Sequence, residues 1–393
     1  MEMAKKRHGG ERKRSPLLFG ITFRAVLIVA AAAMFLSYAA VYVNPSKFAL
    51  PLFFGLYFVP ILCINLLLLI MAALRRSASA WIAIAALLPA LLYTELFVKI
   101  GHTEEPQKEG IELKIESYNV GMFSSSEEGL SREKCRLEIG KHIAEQSPDI
   151  ICLQEFFAES YTQADTIFGS YPHRHYHLFK ARNGKLFGNI ILSRFPIGER
   201  GRISFPGSTN LAIFADIEHY GRTLRVYNNH LESYNVSFTA LAHKFAELLR
   251  DKDGRLIPAT EEERSATLSD LEAARDEITR DIVDTHEKMK GTFIKRSQQV
   301  DRIIEHINQT PHNTIICGDF NDTPMSYTYH TLAKHRNDTF KEAGSGFGAT
   351  FAPVWPLLRI DYILTPDKSQ CIDHTILKLS LSDHYPVSAE VII

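Results

Sequence analysis

The first hundred residues contain three long stretches of uncharged, mostly apolar positions. They cover residues 25–43, 48–74 and 77–94. A helix needs about 20 apolar residues to cross the hydrocarbon core of a bilayer, and each stretch is close to that length or longer. The pattern therefore predicts an all-α transmembrane region of three helices within residues 17–100, through which the chain binds the lipid bilayer.

Basic residues lie on one side of these stretches. The N-terminal segment 1–16 is rich in lysine and arginine, and Arg75 and Arg76 separate the second stretch from the third. Because cytoplasmic loops carry an excess of Lys and Arg, we expect a multi-pass membrane protein with a cytoplasmic N-terminus and an extracytoplasmic domain after residue 100. Alternatively, the first stretch is a signal peptide cleaved near Ser37-Tyr38-Ala39, and two crossings would deliver the domain to the same side.

After residue 100 the hydrophobic pattern changes from long runs to short ones. Residues 101–110 are polar and predict a linker. Beyond it, short apolar strands alternate with helices, which is typical of a layered α/β domain over residues 111–393. Strands are predicted at 111–119, 149–155, 189–193, 211–218, 223–231, 314–318, 359–364 and 388–393, and helices at 132–146 and 297–307. The first helix is predicted to begin after Ser131 as N-cap and to bury one face that carries Cys135, Ile139 and Ile143.

One segment does not fit a minimal domain of this kind. Residues 236–296 are mostly charged and helix-prone, above all between 261 and 290. We interpret them as an insertion that forms a helical hairpin or a long surface helix. Such a segment is either a solvated insertion without chemistry or a lid over a substrate or partner.

Polar residues recur where the predicted strands end. Carboxylate and amide oxygens are ligands suited to Mg²⁺ or Mn²⁺, whereas zinc would prefer several His or Cys side chains. Hydrolysis of a phosphate ester needs such a metal, donors for the phosphoryl oxygens and a base for water, and a histidine oriented by a carboxylate can supply a base near neutral pH. The candidate residues are Asn119, Glu155, His230, Asp319, Asn321, Asp361, Asp383 and His384.

These residues lie in motifs with a recognisable order. The order along the chain is S-Y-N, L-Q-E, N-x-H-L, G-D-F-N, R-I-D-Y-I and S-D-H-Y-P. The set resembles the endonuclease/exonuclease/phosphatase superfamily, the deoxyribonuclease I-like enzymes, over about residues 111–393. The resemblance implies a four-layer α/β sandwich, in which two packed mixed β-sheets are flanked by helices, and a divalent-metal-dependent hydrolase of phosphate esters.

The resemblance also implies a metal site for Mg²⁺ or Mn²⁺. Glu155 resembles the principal metal ligand of the family. Asn119 and Asp383 would complete or support that site. Whether one metal or two are bound stays open at this point.

The remaining residues resemble the catalytic set. Asp319 would position or activate the attacking water, and Asn321 would bind the scissile phosphate or a second metal. His384 would hydrogen-bond the phosphate or act as base, with Asp361 fixing its tautomer. His230 would donate a proton or hydrogen bond to the phosphoryl oxygens. The resemblance leaves open which group is the base.

Charge bears on the substrate. The chain has a formal net charge of -1 and a sequence pI of about 7.0, so it has no global basic field for nucleic acid. A phosphodiester substrate, either a phospholipid head group or nucleic acid, fits the family resemblance. Two alternatives are an inositol-phosphate phosphomonoesterase and a non-catalytic membrane-tethered module that assists lipid-anchor processing.

Overall fold

The structure, a computed structural model, covers most of the chain. It describes backbone and side chains of residues 20–101, 109–125, 129–234, 280–281 and 283–393, and the backbone alone of 16–19, 261–279 and 282. Most of the predicted linker and the first part of the predicted insertion, residues 235–260, lie outside the described residues.

The second predicted N-terminal helix is broken in two, and the third is shorter than the hydrophobic pattern predicts. Two short 3₁₀ helices, Leu88–Leu92 and Thr94–Leu96, follow the last of them. The helices are α1 (Pro16–Ala39), α2 (Leu50–Leu56), α3 (Phe58–Leu74) and α4 (Ala80–Leu87). The helix α2 bends by 74° into α3. Pro60 accounts for the break, because its ring clashes with the carbonyl of the residue four positions earlier, Leu56.

Helix length corrects the prediction of three crossings. Among the described residues, Gly20–Ala39 is the helix that is long and apolar enough to cross a membrane by itself. The helices α2 and α3 reach that length only if the bent pair forms one span. The third predicted crossing is wrong, since Ala80–Leu92 is a short apolar helix whose α-helical part ends just before Pro89. The part of the chain that the structure describes has at most two candidate crossings, and the multi-pass arrangement is not supported.

The first large sheet has six strands in the order β13-β14-β2-β3-β5-β4. Their ranges are β2 (Glu112–Asn119), β3 (Ile150–Ala158), β4 (His173–Lys180), β5 (Leu186–Ser193), β13 (Gln370–Ile376) and β14 (Val387–Ile392). The pair β2 and β3 is parallel and the other pairs are antiparallel. The crossover contains α5 (Arg132–Gln146), and the predicted cap is confirmed: Ser131 Oγ accepts a hydrogen bond from Lys134 N.

The second large sheet has the order β10-β12-β9-β8-β7-β6. Its strands are β6 (Ile197–Ser204), β7 (Leu211–His219), β8 (Arg222–His230), β9 (Asn313–Asp319), β10 (Arg336–Asp338) and β12 (Asp361–Pro366). The strands β8 and β9 are parallel. Before β9 runs α7 (Glu261–Gln309), a helix of 49 residues. The predicted helix 297–307 is thus the end of one long helix that includes the charged part of the insertion.

The two sheets pack face to face and share an apolar core. Side chains such as Ile115 and Cys152 from the first sheet meet Val226 and Cys317 from the second. On the outer face of the first sheet lies α5, together with the short helix α6 (Tyr161–Thr166). On the outer face of the second sheet lie α7 and α8 (Tyr327–Ala333), whereas α9 (Thr339–Ala343) contributes Ala343 to the core between the sheets. The predicted α/β class is confirmed, with two mixed sheets between helices.

The N-terminal helices are in direct contact with the α/β domain. Apolar side chains of α1, α3 and α4 belong to the same buried cluster as those of α7, α8 and the second sheet. The strand β1 (Val98–Lys99) pairs with β11 (Gly346–Phe347), and Arg359 Nη1 donates to Leu96 O. The helices are therefore docked on the domain rather than held only through a linker.

Candidate active site

The candidate residues meet at one end of the two sheets. Asn119 is the last residue of β2, His230 the last of β8 and Asp319 the last of β9. Because parallel neighbours end on the same side of a sheet, β2 with β3 and β8 with β9 bring their final residues to a common edge. Glu155 lies where the pairing of β3 with β5 shifts register and has a φ of 48°. This irregularity in β3 brings Glu155 to the same edge.

Asn119 connects two carboxylates. Its Nδ2 lies 3.3 Å from Glu155 Oε1 and 3.0 Å from Asp319 Oδ2, and its Oδ1 accepts from Gly121 N. Two acidic groups would otherwise face each other without a donor between them. The amide therefore positions both carboxylates at the centre of the site.

His384 lies between two acidic side chains. Its Nδ1 is 2.9 Å from Asp361 Oδ2 and its Nε2 is 3.8 Å from Asp319 Oδ2. Burial lowers the pKa of His384, but the Asp361 and Asp319 carboxylates more than offset burial and raise the pKa to about 10. Burial also raises the pKa of Asp319, against the opposing effect of the His384 charge. At neutral pH the ring is thus an imidazolium, a hydrogen-bond donor.

Asn321 and His230 complete the rim around Asp319. Asn321 has a φ of 51°, a conformation that asparagine tolerates better than most residues. Its backbone N–H donates to Asp319 Oδ1 at 2.8 Å, and its Nδ2 donates to Asp319 Oδ2 at 3.1 Å. His230 Nε2 lies 3.5 Å from Glu155 Oε1 and 3.9 Å from Asp319 Oδ2. These two side chains leave Asp319 with donors on several sides.

Asp383 is connected to the site through its neighbour Ser382. Ser382 Oγ donates to Asn119 O at 2.8 Å and lies 3.3 Å from Asp383 Oδ1. Within the described residues, Asp319, Asp361 and His384 form a compact buried group with ligand atoms within 4.8 Å of one another. The predicted set Asn119, Glu155 and Asp383 surrounds this group and does not coincide with it.

The side chains present fit a hard divalent cation. Four carboxylates, Glu155, Asp319, Asp361 and Asp383, stand against two histidines, and Asp361 Oδ1 is buried without a hydrogen-bond partner among the described atoms. Negative charge in excess of its donors is costly to bury. Oxygen-rich donors of this kind suit Mg²⁺ or Mn²⁺.

Sequence reasoning did not identify the residues that support the site. Gln154 Nε2 donates to Asn228 Oδ1 at 2.8 Å, and Asn228 Nδ2 donates to Leu153 O and Ile190 O. This buried network joins the two sheets below Glu155 and His230. Both residues adjoin motif residues, Gln154 in L-Q-E and Asn228 two positions before His230, so their place in the chain could have revealed them.

Thr350 and Phe351 also contact the catalytic group. Thr350 Oγ1 accepts hydrogen bonds from Ile360 N and Asp361 N, which fixes the start of β12. Phe351 forms an isolated β-bridge with His384, and their ring centroids are 5.2 Å apart. No motif in the sequence marks either residue.

The long helix α7 anchors the site from below. Arg296 is fully buried, and its guanidinium donates to Glu232 O and lies 3.0 Å from Asp322 Oδ2. Glu232 follows His230 by two residues and Asp322 follows Asn321 directly. The helix that ends the insertion is therefore part of the framework of the site.

The sequence matches the Endonuclease/Exonuclease/phosphatase family over residues 117–384. This match covers more than half of the chain and includes every candidate residue of the site. The chain belongs to this family. It is a hydrolase that acts on phosphate ester bonds. Residues 20–95 match a second family, described as a domain of unknown function, and no curated protein matches the chain.

The chain is also similar to several solved structures, at low sequence identity. An endonuclease/exonuclease/phosphatase from Beutenbergia cavernae DSM 12333 is 15% identical, with a TM-score of 0.49 and 72% of each chain covered. D. rerio TDP2, complexed with single strand DNA product, is 17% identical at a TM-score of 0.46, covering 72% of this chain and 99% of its own. The human Nocturnin catalytic domain with bound sulfate is 15% identical at a TM-score of 0.46, covering 72% and 96%.

Proposed function

We propose that the protein is a membrane-anchored, divalent-metal-dependent phosphodiesterase that hydrolyses its substrate by attack of water. The substrate class comprises nucleic acid and phospholipid head groups. The observation that carries the proposal is the position of His384 between two carboxylates. Its nearest atoms lie 2.9 Å from Asp361 and 3.8 Å from Asp319. The pair Asn119 and Glu155 lies beside this group. A buried imidazolium next to a carboxylate of raised pKa provides a donor for phosphate and an acceptor for a proton of water.

Glu155 would hold the metal, with Asn119 and Asp383 completing or supporting its site. The ion, Mg²⁺ or Mn²⁺, would neutralise charge on the phosphoryl and leaving oxygens. This assignment rests on the oxygen-rich donors around Glu155 and on the excess of negative charge at the site. Asn321, next to Asp319, would bind the scissile phosphate.

The side chains of this chain would divide the proton transfers between them. Asp319 accepts a proton from water as the water oxygen bonds to phosphorus and the ester P–O bond breaks. His384, fixed by Asp361, donates a hydrogen bond to a phosphoryl oxygen. His230 is partly exposed at the rim and donates a proton or hydrogen bond to the departing oxygen.

Membrane attachment is supported by the surface of the N-terminal helices. Large apolar side chains are exposed along them, among them Val29, Leu67, Leu74, Trp81 and Leu92, with Leu74 and Leu92 81% and 80% exposed. Many large apolar side chains exposed along the same helices mark a site of contact with a membrane or a protein. Since α1 is long enough to cross, we assign this surface to a bilayer and α1 to the anchor.

One end of the helical region carries basic residues, and the other end packs on the catalytic domain. The Arg75 guanidinium lies 5.2 Å from the Phe23 ring centroid, so the basic turn lies beside the first part of α1. At the other end, Gly55 packs against Met325 of the catalytic domain. The basic turn and the catalytic domain therefore lie at opposite ends of the helical region.

The catalytic proposal is tested with full-length protein in detergent. We expect hydrolysis of bis(p-nitrophenyl) phosphate that requires Mg²⁺ or Mn²⁺ and falls by about 100-fold or more in Glu155→Gln and His384→Gln. The matched control is Glu138→Gln, an exposed position on α5. Retained activity in Glu155→Gln would contradict the assignment. Faster hydrolysis of p-nitrophenyl phosphate than of the diester would instead indicate a phosphomonoesterase, and metal binding without turnover a non-catalytic module.

A further inference from the structure

An apolar cavity lies between the break in the N-terminal helices and the catalytic domain. Its volume is about 210 Å³. The break between α2 and α3 forms one wall, and Phe97 with segments of the catalytic domain forms the other. The lining residues are Gly55, Leu56, Tyr57, Phe58, Val59, Pro60, Phe97, Thr323, Val354, Leu357 and Leu358.

The two segments of the catalytic domain that line this cavity both lead to the active site. Thr323 follows Asn321 by two residues. Leu358 O accepts from Thr350 N and Phe351 N, so the loop 350–358 closes on itself. The base of this loop carries Phe351, which forms the bridge to His384. A group bound in the cavity would thus contact the segments that hold Asn321 and His384.

A break in an apolar helix, such as the one between α2 and α3 at this wall, is unusual. Helices interrupted at membrane depth are tolerated where their backbone is buried in protein or lines a cavity. Here the bend of 74° has Gly55 on one side, packed so closely on Met325 O that a Cβ would overlap it. Because this contact fixes the break against the catalytic domain, the cavity is a defined feature of the interface.

We propose that the substrate is a phosphodiester with an apolar chain, a lipid, and that this cavity binds the part of the chain next to the head group. The proposal rests on the proposed phosphodiesterase function and names its substrate class. The lining offers few polar groups, so phosphates and base edges would lose hydration there without new partners, whereas methylene groups gain by burial. Tyr57 and Leu357, each 43% exposed, join the cavity to the apolar surface of the helices.

The volume predicts how much of the chain is recognised. An apolar cavity of about 150 Å³ binds one benzene molecule, so this cavity holds about seven carbon-sized groups. Burial of one methylene contributes a factor of about four in affinity when complete, and less in a partly open cavity. We therefore expect kcat/KM to rise about two- to four-fold per methylene and to level off after about seven.

The test uses full-length protein in detergent and alkyl p-nitrophenyl phosphates from ethyl to dodecyl. Val354→Trp fills the cavity, and Leu357→Glu, at a partly exposed position, places a charge on its rim. Each should reduce the ratio of kcat/KM for the octyl and ethyl esters by about ten-fold or more. The control Val283→Trp lies on an exposed face of α7 and should keep the wild-type ratio, which separates cavity binding from partition of the esters into detergent.

A second readout does not depend on turnover. A photoreactive octyl phosphonate with a diazirine at the chain end is cross-linked to full-length Glu155→Gln protein. Labelling is expected in peptides that contain residues 56–60 or 354–358, and octyl phosphate but not ethyl phosphate should compete.

The outcomes separate the two proposals. Hydrolysis of bis(p-nitrophenyl) phosphate with a flat chain-length series, or plasmid DNA cleaved in preference to the octyl ester, would overturn the lipid assignment and leave the phosphodiesterase intact. Competed labelling of the cavity without hydrolysis of any ester would support the chain site and overturn the phosphodiesterase. Failure to label these peptides, together with a ratio unchanged by both variants, would sink the cavity proposal.

Discussion

Arg296 and Asp322 form a buried ion pair whose nearest atoms are 3.0 Å apart, and neither side chain is more than 2% exposed. The pair ties α7 to the residue that follows Asn321. The same guanidinium lies over the Tyr234 ring at 4.5 Å from its centroid. A charged helix that looks like a surface insertion in the sequence is thus joined to the catalytic loop through a buried arginine.

Removal of this arginine should destabilise the domain. Arg296→Met leaves the Asp322 carboxylate buried without its partner, which costs about 3–5 kcal/mol of unfolding free energy. Equilibrium denaturation in urea measures the loss. The adjacent Lys295→Met is the control, since Lys295 is 54% exposed and its pair with Glu232 should contribute about 0–1 kcal/mol. Equal effects of the two variants would contradict the anchoring role of Arg296.

Replacement of Asn119 by aspartate tests the bridge between the carboxylates. The Asn119→Asp variant removes the donor that faces Glu155 Oε1 and Asp319 Oδ2 and adds a third negative charge. We expect kcat to fall by about 100-fold or more, because both carboxylates lose their position. Steady-state hydrolysis of bis(p-nitrophenyl) phosphate is the measurement. Asn183→Asp, in an exposed turn, should retain activity, and an active Asn119→Asp protein would show that the amide is dispensable.

His374 should make the fold sensitive to acid. Burial, followed by repulsion from Arg359, lowers the pKa of His374 to about 3, although Asp338 opposes the shift. The unfolded chain binds a proton below a pH of about 6.5 and the folded chain does not, so stability falls as pH decreases between these two values. From pH 7 to pH 5 this one group contributes a loss of about 2 kcal/mol.

The variant His374→Gln should abolish that part of the pH dependence. It will be less stable than wild type at pH 7, because Nδ1 lies 2.8 Å from Thr339 Oγ1, but the difference should shrink at pH 5. Urea unfolding at both pH values gives the comparison. His335→Asn, at an exposed position with a φ of 59° that asparagine accepts, is the control. A constant difference between His374→Gln and wild type at both pH values would rule out this titration.

Local features of the fold could be predicted from the sequence more readily than contacts between distant segments. The cap at Ser131 and the buried face of α5 depend on residues three or four positions apart, and both were predicted correctly. The site motifs could be placed because their residues end neighbouring strands. The third crossing was wrong because hydropathy does not register the 3₁₀ turns at Pro89. The contact of Arg296 with Asp322 depends on a crossover of the chain, which local periodicity does not encode.

The docking of the N-terminal helices on the catalytic domain could not be predicted from the sequence pattern either. A polar segment after the apolar runs is typical of a linker, and nothing in the spacing of residues shows that β1 pairs with β11. The close approach of Gly55 to Met325 requires both partners to be located in three dimensions. Glycine in an apolar helix has many uses, and only the contact surface reveals this one.

The close contact of Gly55 with Met325 can be tested by substitution of the glycine. In Gly55→Ala the added Cβ would overlap Met325 O, whose backbone lies in the loop after Thr323 and is not free to move as a side-chain end would be. We expect the helices to shift away from the catalytic domain, and the lost packing to lower stability by about 1–3 kcal/mol. Because the helix break forms one wall of the cavity, the octyl-to-ethyl ratio of kcat/KM should fall as well.

The matched variant Gly20→Ala has no atom within 4 Å of its added Cβ and should stabilise α1 by about 1 kcal/mol. Thermal unfolding in detergent and limited proteolysis between the helices and β2 measure both effects. If Gly55→Ala resembled Gly20→Ala in both assays, the close packing of the break on the catalytic loop would not be a feature of the protein in solution.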